Sequence, residues 1–296
     1  MPLAPFTTWR IGGPAEYLLE PDSEQELLRA IGAAHEAGVE VHVIGRGSNL
    51  LVADEGVPGL VIALRRRLDS LTVDPESGHV VAGAGTPAQR IAIRAANDGV
   101  SGFEFLIAIP GALGGAVIMN AGLGGSDGRS LRDVLVSVRV VTADGRVDSH
   151  SGAASGLRYR GSAIGDRGEI VLSAELQGSP GTDPMALLAE HALIRQRRAK
   201  RQPKNRRTSG SVFKQPPHHP PAGWLLDQAG LKGTRVGDAM ISLAHANWIE
   251  NLGSATAHDV LSLMDFARDA VLARFGVILE PEVHMMPRTA GQRGTG

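Results

Sequence analysis

Apolar and polar positions follow two periods along this chain, and the change from one to the other divides it. AEYLLEP, from Ala15, reads as a short strand. SEQELLRAIGAAHEAG has helical spacing, with Leu27, Leu28, Ile31 and Ala34 on one face. Ser23 and Glu26 are spaced as a capping box, and Gly38 supplies the stop. VEVHVIG and GLVIAL read as buried strands. LDSLTVDPESGHVVAGAG reads as a hairpin around DPESG. TPAQRIAIRAANDG is a short helix with Thr86 as N-cap, Pro87 at its first position, Gln89 as reciprocal partner and Gly99 as stop. DVLVSVRVVTADGRVDSHS alternates around ADG as an antiparallel hairpin does, and GEIVLSAELQ is a further strand.

At GSPGTDP the strands give way to a long helix from Met185 to about Lys200, capped by Asp183 or Thr182. A domain boundary is placed there, near Ser179. It divides the chain into 1–179, with subdomains of about 1–65 and 66–179, and 180–288, followed by a disordered tail over 289–296. The second part reads as a short helix at AGWLLDQAG, a strand at AMISLAHANWIEN, a helix from Thr256 with Asp259 as its capping partner, and a last strand at VILEPEVHMM.

Composition narrows the chemistry. The 296 residues are 43% hydrophobic with 38 glycines, which describes a globular chain rich in tight turns. Aromatics are only 4%, so the core must rest on Val, Ile, Leu and Ala. A net charge of -1 argues against a general polyanion binder. Cysteine is absent, which removes thiol nucleophiles, disulfides and thiolate-held metals. The ten histidines have no zinc-like spacing, and His218 and His219 lie between prolines, so no metal is expected. The N-terminus lacks a signal-peptide pattern and no apolar run reaches ~18 residues. A cytoplasmic protein without membrane contact is expected.

Two glycine-rich stretches invite a ligand. VHVIGRGSNLLVADEG places G-x-G after a buried strand, but Leu50 stands where a dinucleotide fingerprint needs its third glycine, and no helix follows. Gly45, Arg46, Gly47, Ser48 and Asn49 could instead offer backbone N–H groups and a cation to a diphosphate. An ordinary strand-to-strand turn explains this segment equally well. IPGALGGAVIMNAGLGG carries Gly111, Gly114, Gly115 and Gly122 among apolar residues. Such a segment suits a backbone lying flat against a planar cofactor, or a buried crossover. The basic run RQRRAKRQPKNRR has no aromatic residues for base stacking, so a solvated helix end is preferred to nucleic-acid binding.

Taken in order, TTWRIGGPAEYLLEP, GRGSNLLV, IPGALGGAVIMNAG, LRYRGS, SGSVFKQP, AGWLLDQAGLKGTRVGDAMIS, HANWIEN and LEPEV resemble the UDP-N-acetylenolpyruvoylglucosamine reductase family, from about Phe6 to Met286. The short spacing between LRYRGS and SGSVFK matches its compact second subtype. The resemblance implies an α+β fold: a two-subdomain FAD-binding part of the vanillyl-alcohol-oxidase type, then a C-terminal α+β substrate domain. It implies FAD, NADPH as hydride donor, a UDP-sugar enolpyruvate as substrate, UDP-N-acetylmuramate as product, and a monomer. It carries cofactor contacts onto Gly45, Arg46, Gly47, Ser48, Asn49, Leu50, Gly83, Pro110, Gly111, Gly114, Gly115, Asn120 and Ile170. Substrate contacts fall on Lys214, Gln215, Lys232, His245 and Asn247, although His245 would serve equally as a structural histidine.

The reaction asks for particular groups. Hydride addition at C3 of the enolpyruvyl unit builds negative charge at C2 and its carboxylate, which donors and cations must stabilise. The resemblance gives that role to Arg160, whose fixed charge binds carboxylates bidentately, with Glu282 as a second polar group. Glu280 competes with Glu282, because positions two apart in a strand share a face; the PEV match favours Glu282. Ser211 is the implied proton donor to C2, activated by nearby cations such as Lys214. A loop hydroxyl satisfying its own backbone is the bland alternative for Ser211. A flavin-dependent alcohol oxidase or dehydrogenase of the same fold is the alternative function. The family often has a tyrosine soon after NAG where this chain has Leu123 to Gly125, from which altered affinity rather than lost chemistry is expected.

Overall fold

The computed structural model describes residues 1–64, 68–123, 128–200, 202–203 and 207–287. The expected disordered tail, Gly124 and Gly125, and part of the basic run lie outside the described residues. The elements run β1 (Ala15–Leu19), α1 (Glu24–Glu36), β2 (Val41–Ile44), β3 (Leu50–Val52), β4 (Val57–Ala63), β5 (Leu71–Val73), β6 (His79–Gly83), α2 (Ala88–Asn97) and α3 (Leu113–Ile118). They continue with β7 (Leu135–Val141), β8 (Val147–Ser151), α4 (Ala163–Asp166), β9 (Ile170–Gln177), α5 (Pro184–Ala199), α6 (Ala222–Gln228), β10 (Arg235–Val236), β11 (Ala239–Ile241), β12 (Ile249–Asn251), α7 (Ala257–Phe275) and β13 (His284–Met286).

These elements gather into two compact units, each built from separate stretches of chain. The first joins 1–18, 47–61 and 199–296, and the second joins 19–46 and 62–198. The sequence reading places its boundary near Ser179. In the structure α5 belongs almost wholly to the second unit, and the chain leaves that unit after Arg198.

The second unit is organised by a five-stranded sheet in the order β5-β6-β9-β7-β8. Both expected hairpins form: Leu71 faces Ala82 across DPESG, and Val138 faces His150 across ADG. Strand β9 enters between them, antiparallel to β6 and to β7. Alternation puts Val80, Ala82, Val138, Val140, Ala174 and Leu176 in the core. Burying each Val or Leu contributes about 1.5–3 kcal/mol. Helix α3 covers β9 and β6, and α2 packs on the 3-10 segment Glu104–Ala108.

Capping departs from the sequence reading at two helices. Ser23 accepts from Glu26 N as expected, but the Glu26 carboxylate reaches back one residue further, to Asp22 N at 2.7 Å. At α2 the N-cap is Pro87, and Thr86 is a buried side chain donating to Ser70 O at 2.9 Å. No hydroxyl cap is needed there, because Gly111 O takes the Ala88 N–H.

The first unit holds an antiparallel sheet β10-β11-β12, covered by α7, and a parallel pair of β13 with β3. Trp9, Leu51, Phe213, Leu226, Ile249, Val260 and Leu279 share one core cluster. Trp9 is fully buried. Its Nε1 donates to Ile249 O at 2.8 Å, and Asn251 Nδ2 donates to Trp9 O at 2.9 Å. The capping box of Thr256 and Asp259 forms as expected. Asp54 adds to it, accepting from Ala257 N and His258 N at 2.8 and 2.9 Å.

Two strand expectations need correction. AMISLAHANWIEN is two strands: Ser242 accepts from Ala244 N and Trp248 N bonds to His245 O, so the chain turns back and β11 pairs with β12. VILEPEVHMM contributes only β13 as regular strand, because Pro281 has no N–H to continue a ladder.

Candidate active site

In the second unit, two predicted cofactor segments approach each other. A Cβ on Gly45, just past β2, would meet only Ala112 Cβ, at 3.9 Å. The apolar glycine segment, expected as a flat loop or crossover, winds into helix α3. Its start is tied down by Leu113 N to Thr86 O and Gly114 N to Ala84 O, both 2.9 Å. Gly114 is fixed by this approach, since a Cβ there would lie 3.1 Å from Ala84 Cβ. Gly115 is exposed, and a Cβ there would meet nothing within 4 Å. Gly111 and Gly115 thus present bare backbone toward the surface, with the exposed Pro110 beside them and Gly45 close by. That surface fits a planar cofactor needing close backbone approach. Gly83 differs: it is buried, and a Cβ would lie 2.4 Å from Leu68 O, so packing explains it. Ile170 is half-buried and pairs with Val141.

Arg160 sits at the tip of a closed turn. Arg158 N bonds to Gly161 O at 3.0 Å and Gly161 N to Arg158 O at 3.2 Å. Arg160 takes a left-handed φ of 53° and is half-buried. The segment ending α3 holds this turn at both ends. Asn120 Nδ2 donates to Arg158 O at 3.2 Å, and Ser162 Oγ donates to Ile118 O at 2.9 Å. Asn120 Oδ1 also accepts from Arg132 N at 3.0 Å. The NAG and RYRGS motifs are therefore partners, a link that spacing in the sequence does not reveal. Arg158 is engaged by Asp166 at 2.6 Å, whose hydrogen bond raises its pKa. Arg198, in the last turn of α5, has its pKa lowered by burial and by the Arg160 cation. The sequence singles out no arginine of the basic run; the structure brings this one within electrostatic reach of Arg160.

The first unit assembles the other group. Ser211 bridges to Trp248, and Val212 N bonds to Asn247 O at 2.9 Å. The Asn247 carboxamide grips Phe213 twice, accepting from its N at 3.0 Å and donating to its O at 2.9 Å. On the other side Glu282 N bonds to Val212 O and Lys214 N to Glu280 O, both 2.8 Å. The segment carrying Ser211 is thus laced directly to the segment carrying Glu282. The two candidate acids also separate. Glu280 is exposed and pairs with Lys214 Nζ at 3.4 Å, whereas Glu282 is half-buried. An exposed pair of this kind contributes about 0–1 kcal/mol, so Lys214 can exchange it for an anionic ligand.

The remaining predicted ligands have structural partners of their own. Gln215 Nε2 donates to His219 O at 3.3 Å, and Lys232 pairs with Asp227 at 2.7 Å. His245 Nδ1 accepts from Asn247 N at 3.2 Å, and its ring tilts against Trp248 at 6.1 Å. Gly47 packs on the N-terminal segment: its φ is +58°, a Cβ would lie 2.1 Å from Phe6 O, and its own carbonyl accepts from Thr8 N. Leu50 belongs to β3, opposite His284. Asn49 Nδ2 donates to Glu282 O at 3.0 Å. Arg46 is exposed and Ser48 half-buried. The chain crosses between the units at Arg46–Gly47, among other places; Arg160 belongs to the second unit and Ser211 and Glu282 to the first. Among the described residues no group of three or more metal-ligating side chains is found, and no helix is long and apolar enough to cross a membrane.

Residues 202–286 match the family model for the C-terminal domain of UDP-N-acetylenolpyruvoylglucosamine reductase, and residues 15–149 match an FAD binding domain. A UDP-N-acetylenolpyruvoylglucosamine reductase of Synechococcus sp. (strain JA-3-3Ab) is 42% identical over 97% of this chain and 90% of its own length. A second such reductase, from Symbiobacterium thermophilum, is 43% identical over 95% of this chain and 89% of its own length. The crystal structure of the Thermus caldophilus enzyme of that name superposes with a TM-score of 0.79, at 38% identity, over 96% of this chain and 97% of that one.

Proposed function

The chain belongs to the UDP-N-acetylenolpyruvoylglucosamine reductase family, and on that premise we propose that it reduces the enolpyruvyl group of UDP-N-acetylglucosamine enolpyruvate to UDP-N-acetylmuramate, with FAD as resident cofactor and NADPH as electron source. The observation that carries the reading is the backbone lacing of the Ser211 segment to Glu282, in a chain alike to named reductases over nearly its whole length. FAD, when bound, supplies the hydride-transfer chemistry between NADPH and the C3 position.

Gly45, Gly111 and Gly115 would offer the cofactor bare backbone, with Arg46, Pro110 and Gly114 beside it. Arg160 neutralises the substrate carboxylate as charge develops there. Fixed donors of that kind are worth about 3–4 kcal/mol of barrier when removed singly. Its turn is closed by backbone bonds, so little reorganisation is needed at the moment of reaction. Ser211 delivers the proton to C2, and Glu282 completes the polar surroundings of the carboxylate. Lys214 leaves Glu280 for the anionic part of the substrate, with Gln215 and Lys232 contributing donors. NADPH and nucleotide sugars are cytoplasmic metabolites, so we place the reaction there.

The test is an anaerobic stopped-flow experiment in two halves. NADPH should bleach the bound flavin, and the UDP-enolpyruvyl sugar should restore its colour within the same mixing series. Reduced flavin that persists with substrate present would overturn the assignment.

A further inference from the structure

We infer that Asn49 is the positioning residue for Glu282, linking the GRGSN loop to the candidate acid; this rests on the reaction proposed above. The resemblance makes Asn49 a cofactor contact. The hydrogen bonds give its side chain another task. Asn49 Nδ2 donates to the backbone carbonyl of Glu282 at 3.0 Å. The backbone carbonyl of Asn49 accepts from His284 N at 3.2 Å. One residue thus holds both ends of the 282–284 step.

The reason lies in the register. Strands β3 and β13 run parallel, with Leu50 opposite His284, Leu51 opposite Met285 and Val52 opposite Met286. Before His284 the chain leaves the ladder, because the Glu282 N–H that would continue it is turned to Val212 O. The Asn49 carboxamide donates across to the Glu282 carbonyl and so carries the contact between the two segments two residues further. From the opposite side Val212 O accepts the Glu282 N–H at 2.8 Å. Glu282 is therefore gripped through both of its backbone polar groups. One grip comes from beside Ser211 and the other from the residue after Gly45–Ser48. A carboxamide nitrogen has two hydrogens, so the bond to Glu282 leaves one for a further acceptor. Removing the grip leaves the Glu282 carbonyl without this donor and lets its side chain drift. A misplacement of about 1 Å at a reacting group costs on the order of 10²-fold in rate.

The experiment is a double-mutant cycle on the flavin-loaded protein: wild type, Asn49→Ala, Glu282→Gln and both together. Flavin affinity is measured by fluorescence, and the two half-reactions by stopped flow. Asn49→Ala should slow substrate-driven reoxidation, per bound flavin, by about 10–100-fold. FAD affinity and flavin reduction by NADPH should change less than about threefold, and the pH profile of reoxidation should move. In the Glu282→Gln background, Asn49→Ala should add less than about threefold, since coupled residues are non-additive. Asn49→Gln keeps the carboxamide but displaces it by one methylene, and gives the same cycle should Asn49→Ala fail to fold. Loss of FAD with normal reoxidation per bound flavin would overturn the inference and make Asn49 a cofactor ligand. Full multiplication of the two effects would also overturn it, because Asn49 would then act independently of Glu282. Wild-type protein whose reduced flavin ignores the substrate would instead bring down the proposed reaction, and this inference with it.

Discussion

Asn120 and Asn247 are each 5% exposed, one in each unit, and both were expected to meet a ligand. Both spend their carboxamides on backbone. Asn247 holds the N–H and the carbonyl of a single residue, Phe213, in a segment that Val212 and Lys214 already tie to both neighbours. Asn120 holds two loops, at Arg132 and Arg158, from a left-handed backbone with φ 42°. The first grip holds one residue, 34 positions away, in a segment with further ties; the second bridges two segments, 12 and 38 residues away. The candidate proton donor thus rests on a laced extended segment, and the candidate carboxylate binder on a closed turn held by Asn120 and Ser162.

The largest expected effect lies on the laced side. Ser211→Ala should slow substrate-driven reoxidation by about 10²–10⁴-fold, the usual contribution of a positioned acid, and leave flavin reduction by NADPH nearly unchanged. Equal losses in both half-reactions would make Ser211 a structural hydroxyl and remove the functional half of the comparison.

Stability should then separate the two asparagines. Asn120→Ala loses two part-buried hydrogen bonds and forces alanine into a left-handed conformation, for a loss of about 2–4 kcal/mol by urea unfolding. Asn247→Ala should cost less, about 1–3 kcal/mol, because its segment keeps other bonds. Asn120→Gly restores backbone freedom and should recover about 1 kcal/mol relative to Asn120→Ala. A costlier Asn247→Ala would invert the comparison.

The smallest effect concerns pH and the second unit. His191, on α5, is buried, and burial lowers its pKa; Arg195 pushes the same way and Glu104 opposes both. The unfolded chain therefore binds more protons between the depressed folded value and the ordinary 6.5. The histidine's contribution is complete above that ordinary value and is lost as pH falls toward the folded one. The slope there cannot exceed about 1.4 kcal/mol per pH unit, and His191→Leu should flatten it. An unchanged slope would assign the acid sensitivity elsewhere.

Much of this was legible in the sequence where one local rule governs the outcome. The DPESG and ADG hairpins, α1, α5 and the boxed start of α7 follow from period and capping chemistry. Legibility ended where a distant partner decides. Thr86 looks like a cap until Gly111 O is found serving Ala88 N–H. The 239–251 segment looks like one strand until the polar side chains of Ser242 and His245 are found closing a turn. For the site, composition and spacing left Ser211 a plausible loop hydroxyl, and Arg160 one arginine among many. Family resemblance singled them out, while the clamps beneath them, Asn120, Asn247 and Asn49, needed coordinates.

Trp9 has a consequence for how the molecule is made. Its indole and carbonyl bind Ile249 and Asn251, so an early stretch of chain completes a core supplied mainly by the last third. During synthesis at about 5–20 residues per second, that stretch emerges first and waits longest. Its apolar side chains stay open to wrong partners until Leu279 and Val283 have left the ribosome. A fragment limited to 202–286 would lack both Trp9 and Leu51, and would meet the solvent with a hole where its centre should be.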